Sequence, residues 1–139
     1  MAQVKEHKSF INLGIVNNSK REILMIKRRI VEKGNEDKIS SAWVFPGGKQ
    51  RADETKGECV TREILEETGY EVASIKELNL RPHQEYNLYT IYHLCKPVQS
   101  VSDNVVSEAT EVKWVPFDEI RTYLTEELDS TVSTILEME

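Results

Sequence analysis

The segment Thr55 to Gly69, TKGECVTREILEETG, settles one element of the fold before the rest of the chain is read. Thr55 and Glu58 stand as T-x-x-E, the spacing at which a hydroxyl and a carboxylate close on each other's backbone N–H and start a helix. Gly69 supplies the left-handed residue that ends one. Between them the spacing predicts about four turns. On a wheel of about 100° per residue, Val60, Thr61, Ile64, Leu65 and Thr68 share an arc of roughly 140°, and Glu63, Glu66 and Glu67 share a separate arc of roughly 100°. Such a helix buries one face and offers three carboxylates on another.

Local forces oppose those carboxylates. Glu63 and Glu67 are four residues apart, where like charges repel, and the C-terminal end of a helix is the wrong pole of its dipole for anions. At an effective dielectric near 20, two like charges about 4 Å apart repel by about 4 kcal/mol. Two arrangements relieve this. One is a solvated acidic face, the ordinary fate of glutamates. The other is a hard divalent cation held by clustered carboxylate oxygens. Arg62 is the one basic residue close by on this helix, so the face is not laced with alternating lysines.

Composition narrows the setting. The 139 residues are 39% apolar and 30% charged, which reads as one soluble domain over 1–139. A net charge of -6 speaks against general affinity for duplex nucleic acid or an anionic membrane. It leaves room for a phosphate-bearing substrate if a metal ion or a local basic group offsets the charge. Cys59 and Cys95 lie far apart without a CxxC pattern, against a zinc site or disulfide framework. With the polar opening MAQVKEHKSF and no long apolar run, the chain reads as cytoplasmic.

Elsewhere, Phe10–Val16 and Ile23–Ile26 read as strands joined at Asn17-Asn18-Ser19 into a hairpin. Lys33–Ser41 is polar and reads as an exposed loop. Trp43-Val44-Phe45 is a short strand stopped by Pro46-Gly47-Gly48. Tyr70–Leu80, Tyr86–Cys95 and Glu111–Val115 read as further strands. Pro116 opens FDEIRTYLTEEL, read as an amphipathic helix carrying Ile120, Leu124 and Leu128 on one side. The tail from Asp129 extends that helix or forms a second one. This order predicts an α/β fold with a mixed sheet and helices packed on it.

Six positions upstream of Glu54 stands Gly48, and the whole run is G48-x5-E54-x7-R62-E63-I64-x-E66-E67-x-G69-Y70. It resembles the Nudix box, the signature of the Nudix hydrolase family. Tyr70 stands where that pattern prefers a small aliphatic residue, and Gly57 sits in the first helical turns at a cost of up to about 1 kcal/mol. WVFPGGK, EVKWVPFDEI and the strand ending in Lys27-Arg28-Arg29 extend the resemblance over most of the chain.

The resemblance implies an α/β/α sandwich around a mixed β-sheet. It implies hydrolysis of a nucleoside diphosphate linked to another group, by attack of water on phosphorus with Mg2+ or Mn2+ as cofactor. Glu63, Glu66 and Glu67 would ligate metal together with the Gly47 carbonyl, and Arg62 would hold a carboxylate in place. Glu54 would tie the glycine loop to the helix start. Glu108, or next Glu111, would bring a further carboxylate from a later loop. The general base stays open among Glu63, Glu66 and a loop glutamate. Arg28, Lys49 and the Gly48 loop would meet the substrate phosphates, and one of Tyr86, Tyr89 and Tyr92 could stack a base. His7, His83 and His93 have no ligand spacing and receive no role.

WVFPGGK is similar to the mutator-type branch, which converts modified nucleoside triphosphates to the monophosphate and pyrophosphate. The partner is thus a small nucleotide-type diphosphate with its base left open, and exposed strand edges could pair two copies into a homodimer. The alternative is a non-catalytic nucleotide-binding or regulatory module on the same fold. A third reading, an isomerase of isoprenyl diphosphate, wants a reactive cysteine.

Overall fold

A computed structural model describes residues 8–31, 39–83, 86–100, 111–124 and 128–138. In chain order the elements are β1 (Ser9–Val16), β2 (Glu22–Val31), β3 (Ile39–Val44), β4 (Gly47–Lys49), α1 (Lys56–Thr68), β5 (Tyr70–Pro82), β6 (Leu88–Ser100), β7 (Glu111–Pro116), α2 (Ile120–Tyr123) and α3 (Ser130–Met138). The strands form two sheets, ordered β4-β1-β6-β5 and β3-β2-β7. β1 and β6 run parallel; the other pairs are antiparallel.

Strand alternation explains the layering. β1 sends Ile15 into one buried cluster and Val16 into another. β2 sends Ile23 and Met25 to the first and Leu24 to the second. The first cluster is closed by Phe117, Ile120, Val132 and Leu136 from the C-terminal helical segments, the second by Val60 and Ile64 of α1. Helices therefore cover both faces, giving the α/β/α sandwich, and the run Ile23–Ile26 is apolar at every position because both its faces are buried.

Helix α1 forms as its local signals dictate. Thr55 and Glu58 make both halves of the capping box, and Gly69 ends the helix at φ 77°. Other expectations are corrected. β1 and β2 do not form a hairpin beyond one isolated bridge, Asn17 to Ile23. A strand has two edges, and β4 and β6 take both edges of β1. Residues 39–41, read as loop, begin β3 and pair with β2.

The single helix expected after Pro116 is instead a 3-10 turn, Phe117–Glu119, and one α turn that ends at Leu124 with ψ 135°. Leu124 pairs with Trp43, whose ring meets Tyr123 edge-on at 5.5 Å. Leu124 and Leu128 still pack on the cluster that buries Ile120. Their spacing recorded burial, not one continuous helix. The tail forms α3 as a separate helix.

Candidate active site

The site grows from two glycines. β4 lies antiparallel on β1, with Gly47 opposite Leu13 and Gly48 opposite Asn12. A Cβ on Gly47 would stand 2.0 Å from the Asn12 carbonyl oxygen, so only a glycine lets β4 lie this close to β1. A Cβ on Gly48 would stand 2.5 Å from the carboxyl carbon of Glu63. The bare face of Gly48 is thus the floor on which the Glu63 carboxylate rests. The Cys59 thiol donates to the Gly48 carbonyl at 3.5 Å from within α1.

The three glutamates, read as one acidic face, differ in burial and in the groups that hold them. Glu67 is only 2% exposed. Its Oε1 accepts the Gly47 N–H at 2.9 Å, and its Oε2 accepts from Arg28. The same Arg28 nitrogen donates to the Gly47 carbonyl at 3.3 Å. Arg28, expected open toward phosphate, is therefore folded onto Glu67 and Gly47. Glu63 and Glu66 share one nitrogen of Arg62, at 2.9 and 3.2 Å. The rest of that guanidinium grips Glu54 through Nε at 2.9 Å and Nη2 at 2.7 Å, a bidentate pair. Glu54 also accepts the Arg51 N–H at 2.9 Å, which fixes the loop ahead of α1.

The electrostatics follow. Hydrogen bonds from Arg62 hold the Glu54 carboxyl down at about 2, against an ordinary 4.5. The Arg62 guanidinium is pushed up in turn, chiefly by Glu54. Burial pushes Glu67 up, even though the Arg28 charge and the Gly47 N–H pull the other way. Burial raises the Cys59 thiol to about 11, so it stays protonated at neutral pH.

Glu54 should make stability depend on pH. Its folded pKa is depressed, so its ion pair contributes in full above pH 4.5 and is lost as pH falls toward 2. Urea titrations of the parent and Glu54→Gln should therefore differ at pH 6 and converge as pH is lowered through this window. A difference that persists unchanged at pH 2 would contradict the ion pair.

Other candidates lie elsewhere. Lys49 is exposed at the end of β4. Glu108 and His7 lie outside the described residues. Glu111 pairs with Lys27 at 3.7 Å on the other sheet. Tyr86 is exposed beside His83, Tyr89 meets Phe10 at 5.6 Å, and Tyr92 packs on the core. Asn12 and Gln50 received no role from the sequence, yet Asn12 is fully buried beneath the glycines and donates to Gln50 at 3.1 Å. A lone asparagine inside the apolar run FINLGIV was the available signal.

Among the described residues, no three His, Cys, Asp or Glu side chains are grouped to hold a metal ion as they stand. The donor chemistry nevertheless fits a hard cation: three carboxylates and a backbone carbonyl. Arg28 already places positive charge on two of those oxygens, from Glu67 and Gly47. The buried Glu67 still carries a net penalty for its charge, which a cation relieves.

The NUDIX domain model matches residues 6–135 of this chain. The chain belongs to the NUDIX domain family. A putative 8-oxo-dGTP diphosphatase of Bacillus subtilis (strain 168) is 31% identical over 103 residues, which is 73% of this chain and 62% of that protein. Human nucleoside diphosphate-linked moiety X motif 6 is 27% identical over 130 residues, 88% of this chain and 39% of that one. The chain thus spans less than two thirds of the length of these relatives. A crystal structure of a NUDIX hydrolase from Nitrosomonas europaea superposes with TM-score 0.76 at 16% identity, covering 99% of this chain and 74% of that one. At such identity the likeness carries the NUDIX fold. Hydrolases of this family generally use divalent metal ions.

Proposed function

We propose that this NUDIX chain is a Mg2+- or Mn2+-dependent hydrolase that cleaves a phosphoanhydride of a nucleotide-type diphosphate. The observation that carries the reading is the acidic face of α1 set against Gly47 and Gly48, with all its carboxylates present. Glu63, Glu66, Glu67 and the Gly47 carbonyl would hold the metal. The bound ion would supply charge neutralisation at the phosphates and a water of lowered pKa.

The chain's own groups do the rest. Arg62 fixes Glu54, Glu63 and Glu66 relative to one another. Glu67 is held at both oxygens, while Glu66 is held at Oε2 and its side chain is 44% exposed. Glu66 is therefore the carboxylate best placed to take a proton from water. Arg28, now held by Glu67 and Gly47, would have a guanidinium to offer a phosphate if a cation were bound at Glu67. The name of the B. subtilis relative and the WVFPGGK stretch favour a modified nucleoside triphosphate as substrate. The two buried, unpaired cysteines suit a reducing, cytoplasmic setting. Among the described residues no helix is long and apolar enough to cross a membrane.

The protonated Cys59 disfavours isomerase chemistry through a thiolate. The sensing module is the other reading, and it shares the same residues. The deciding experiment incubates the protein with 8-oxo-dGTP, unmodified nucleoside triphosphates, ADP-ribose and a UDP-sugar, with Mg2+ or Mn2+ and with EDTA. Release of phosphate-containing products from at least one substrate, abolished by EDTA, is expected. Nucleotide binding by calorimetry without turnover on the whole panel would establish the sensing module instead.

A further inference from the structure

His93 is 1% exposed and Asn12 is 0% exposed, both inside the four-stranded sheet. His93 Nε2 lies 2.8 Å from Asn12 Oδ1, and Nδ1 lies 3.3 Å from the Ser74 hydroxyl of β5. Asn12 Nδ2 donates to Gln50 Oε1 at 3.1 Å, and Gln50 Nε2 donates to the Glu54 backbone carbonyl at 3.0 Å. The far end fixes the polarity of the whole chain. A backbone carbonyl can only accept, so Gln50 must present its NH2 to Glu54. Its oxygen then takes the Asn12 NH2, which leaves the Asn12 oxygen for a ring N–H at His93 Nε2. His93 Nδ1 is left as an acceptor for Ser74. Burial keeps the ring neutral, which this tautomer requires.

We infer that His93 is a positioning residue for the acidic site: through Asn12 and Gln50 it sets the segment that presents Glu54 to Arg62, and so the placement of Glu63 and Glu66. Apolar side chains would fill this space at less desolvation cost, and they would leave Asn12 and Gln50 without a defined orientation. The strand carrying Asn12 also lies directly beneath Gly47 and Gly48, so one polar line reaches both walls of the site. Groups that hydrogen-bond a metal ligand directly typically carry about 10–100-fold in activity or metal affinity; here that group is Arg62, which His93 reaches through Asn12, Gln50 and Glu54.

The inference rests on the proposed reading of the site, and its main readout is independent of turnover. In the 15N spectrum of the parent, Arg62 Nε–H should be sharp and slow to exchange, because Glu54 holds it at 2.9 Å. In His93→Leu, its exchange should accelerate about tenfold or more, together with the amides of 50–54, and Mn2+ affinity measured by EPR should fall about tenfold. His93→Gln, which restores a donor near Nε2, should recover most of both losses. An unchanged Arg62 signal and Mn2+ affinity in folded His93→Leu would overturn the inference. Should His93→Leu fail to fold, Gln50→Leu, at a half-buried position, cuts the line closer to the site. It must loosen Arg62 Nε–H in the same way, and no change there would equally overturn it. Absence of turnover on the substrate panel would remove the hydrolase reading and leave the Arg62 signal to decide this one.

Discussion

Glu67→Gln is expected to lower kcat/KM by at least about a hundredfold while the fold stands. The substitution conserves shape, and the amide oxygen can still accept the Gly47 N–H that Glu67 Oε1 holds at 2.9 Å. What changes is charge. The carboxylate is buried and penalised for its ionisation, so its neutral isostere costs the folded state little. Stability should stay within about 1 kcal/mol of the parent, a shift of roughly 2–4 °C in a chain of this size. Function has no such tolerance. A neutral oxygen is a poor ligand for a hard cation, and Arg28, 43% exposed, can turn into water rather than meet the Gln NH2 donor to donor. Steady-state kinetics and a thermal melt on the same preparation test both halves. Turnover within tenfold of the parent would show that the buried carboxylate is not a metal ligand, because removing a ligand should cost at least what removing its outer partner does.

What the sequence made legible was whatever is decided within a few residues. The capping box at Thr55, the stop at Gly69 and the two arcs of α1 rest on contacts three or four positions apart, and the structure realises the cap and the stop. Strand partners are chosen at long range, so the apolar runs 10–16 and 23–26 looked like neighbours though they lie in different sheets. Ile120, Leu124 and Leu128 carried the helical period because one core receives all three. A 3-10 turn and a strand-like Leu124 achieve that as well as a helix would.

The same division runs through the site. Glu63, Glu66, Glu67 and Arg62 were visible as a spaced run on one helix. Glu63 and Glu66 meet Arg62 within α1, but that Glu67 is buried and meets Arg28 and Gly47 depends on β2 and β4, folded in from elsewhere in the chain. His93 had no signal at all, since its partners Asn12 and Ser74 stand 81 and 19 residues away.

Gly47→Ala should have the largest effect on stability, about 4 kcal/mol or more, measured by urea denaturation. The backbone there has φ 148°, a region that L residues rarely adopt. The added methyl would meet the Asn12 carbonyl oxygen at 2.0 Å, Leu13 Cα at 2.8 Å and Asn12 carbon at 2.9 Å, all backbone atoms. None can swing aside, because β1 is clamped between β4 and β6. Gly48→Ala makes the contrast. The three atoms nearest its methyl all belong to the carboxylate end of Glu63, a group that can rotate away, so the stability loss should be near 1 kcal/mol while turnover still falls. Two adjacent glycines are thus expected to fail differently, one by unseating a strand and the other by displacing a carboxylate. Equal stability for the two variants would mean that β4 does not lie as close to β1 as the placement of Glu67 requires, since Glu67 accepts the N–H of Gly47 on β4.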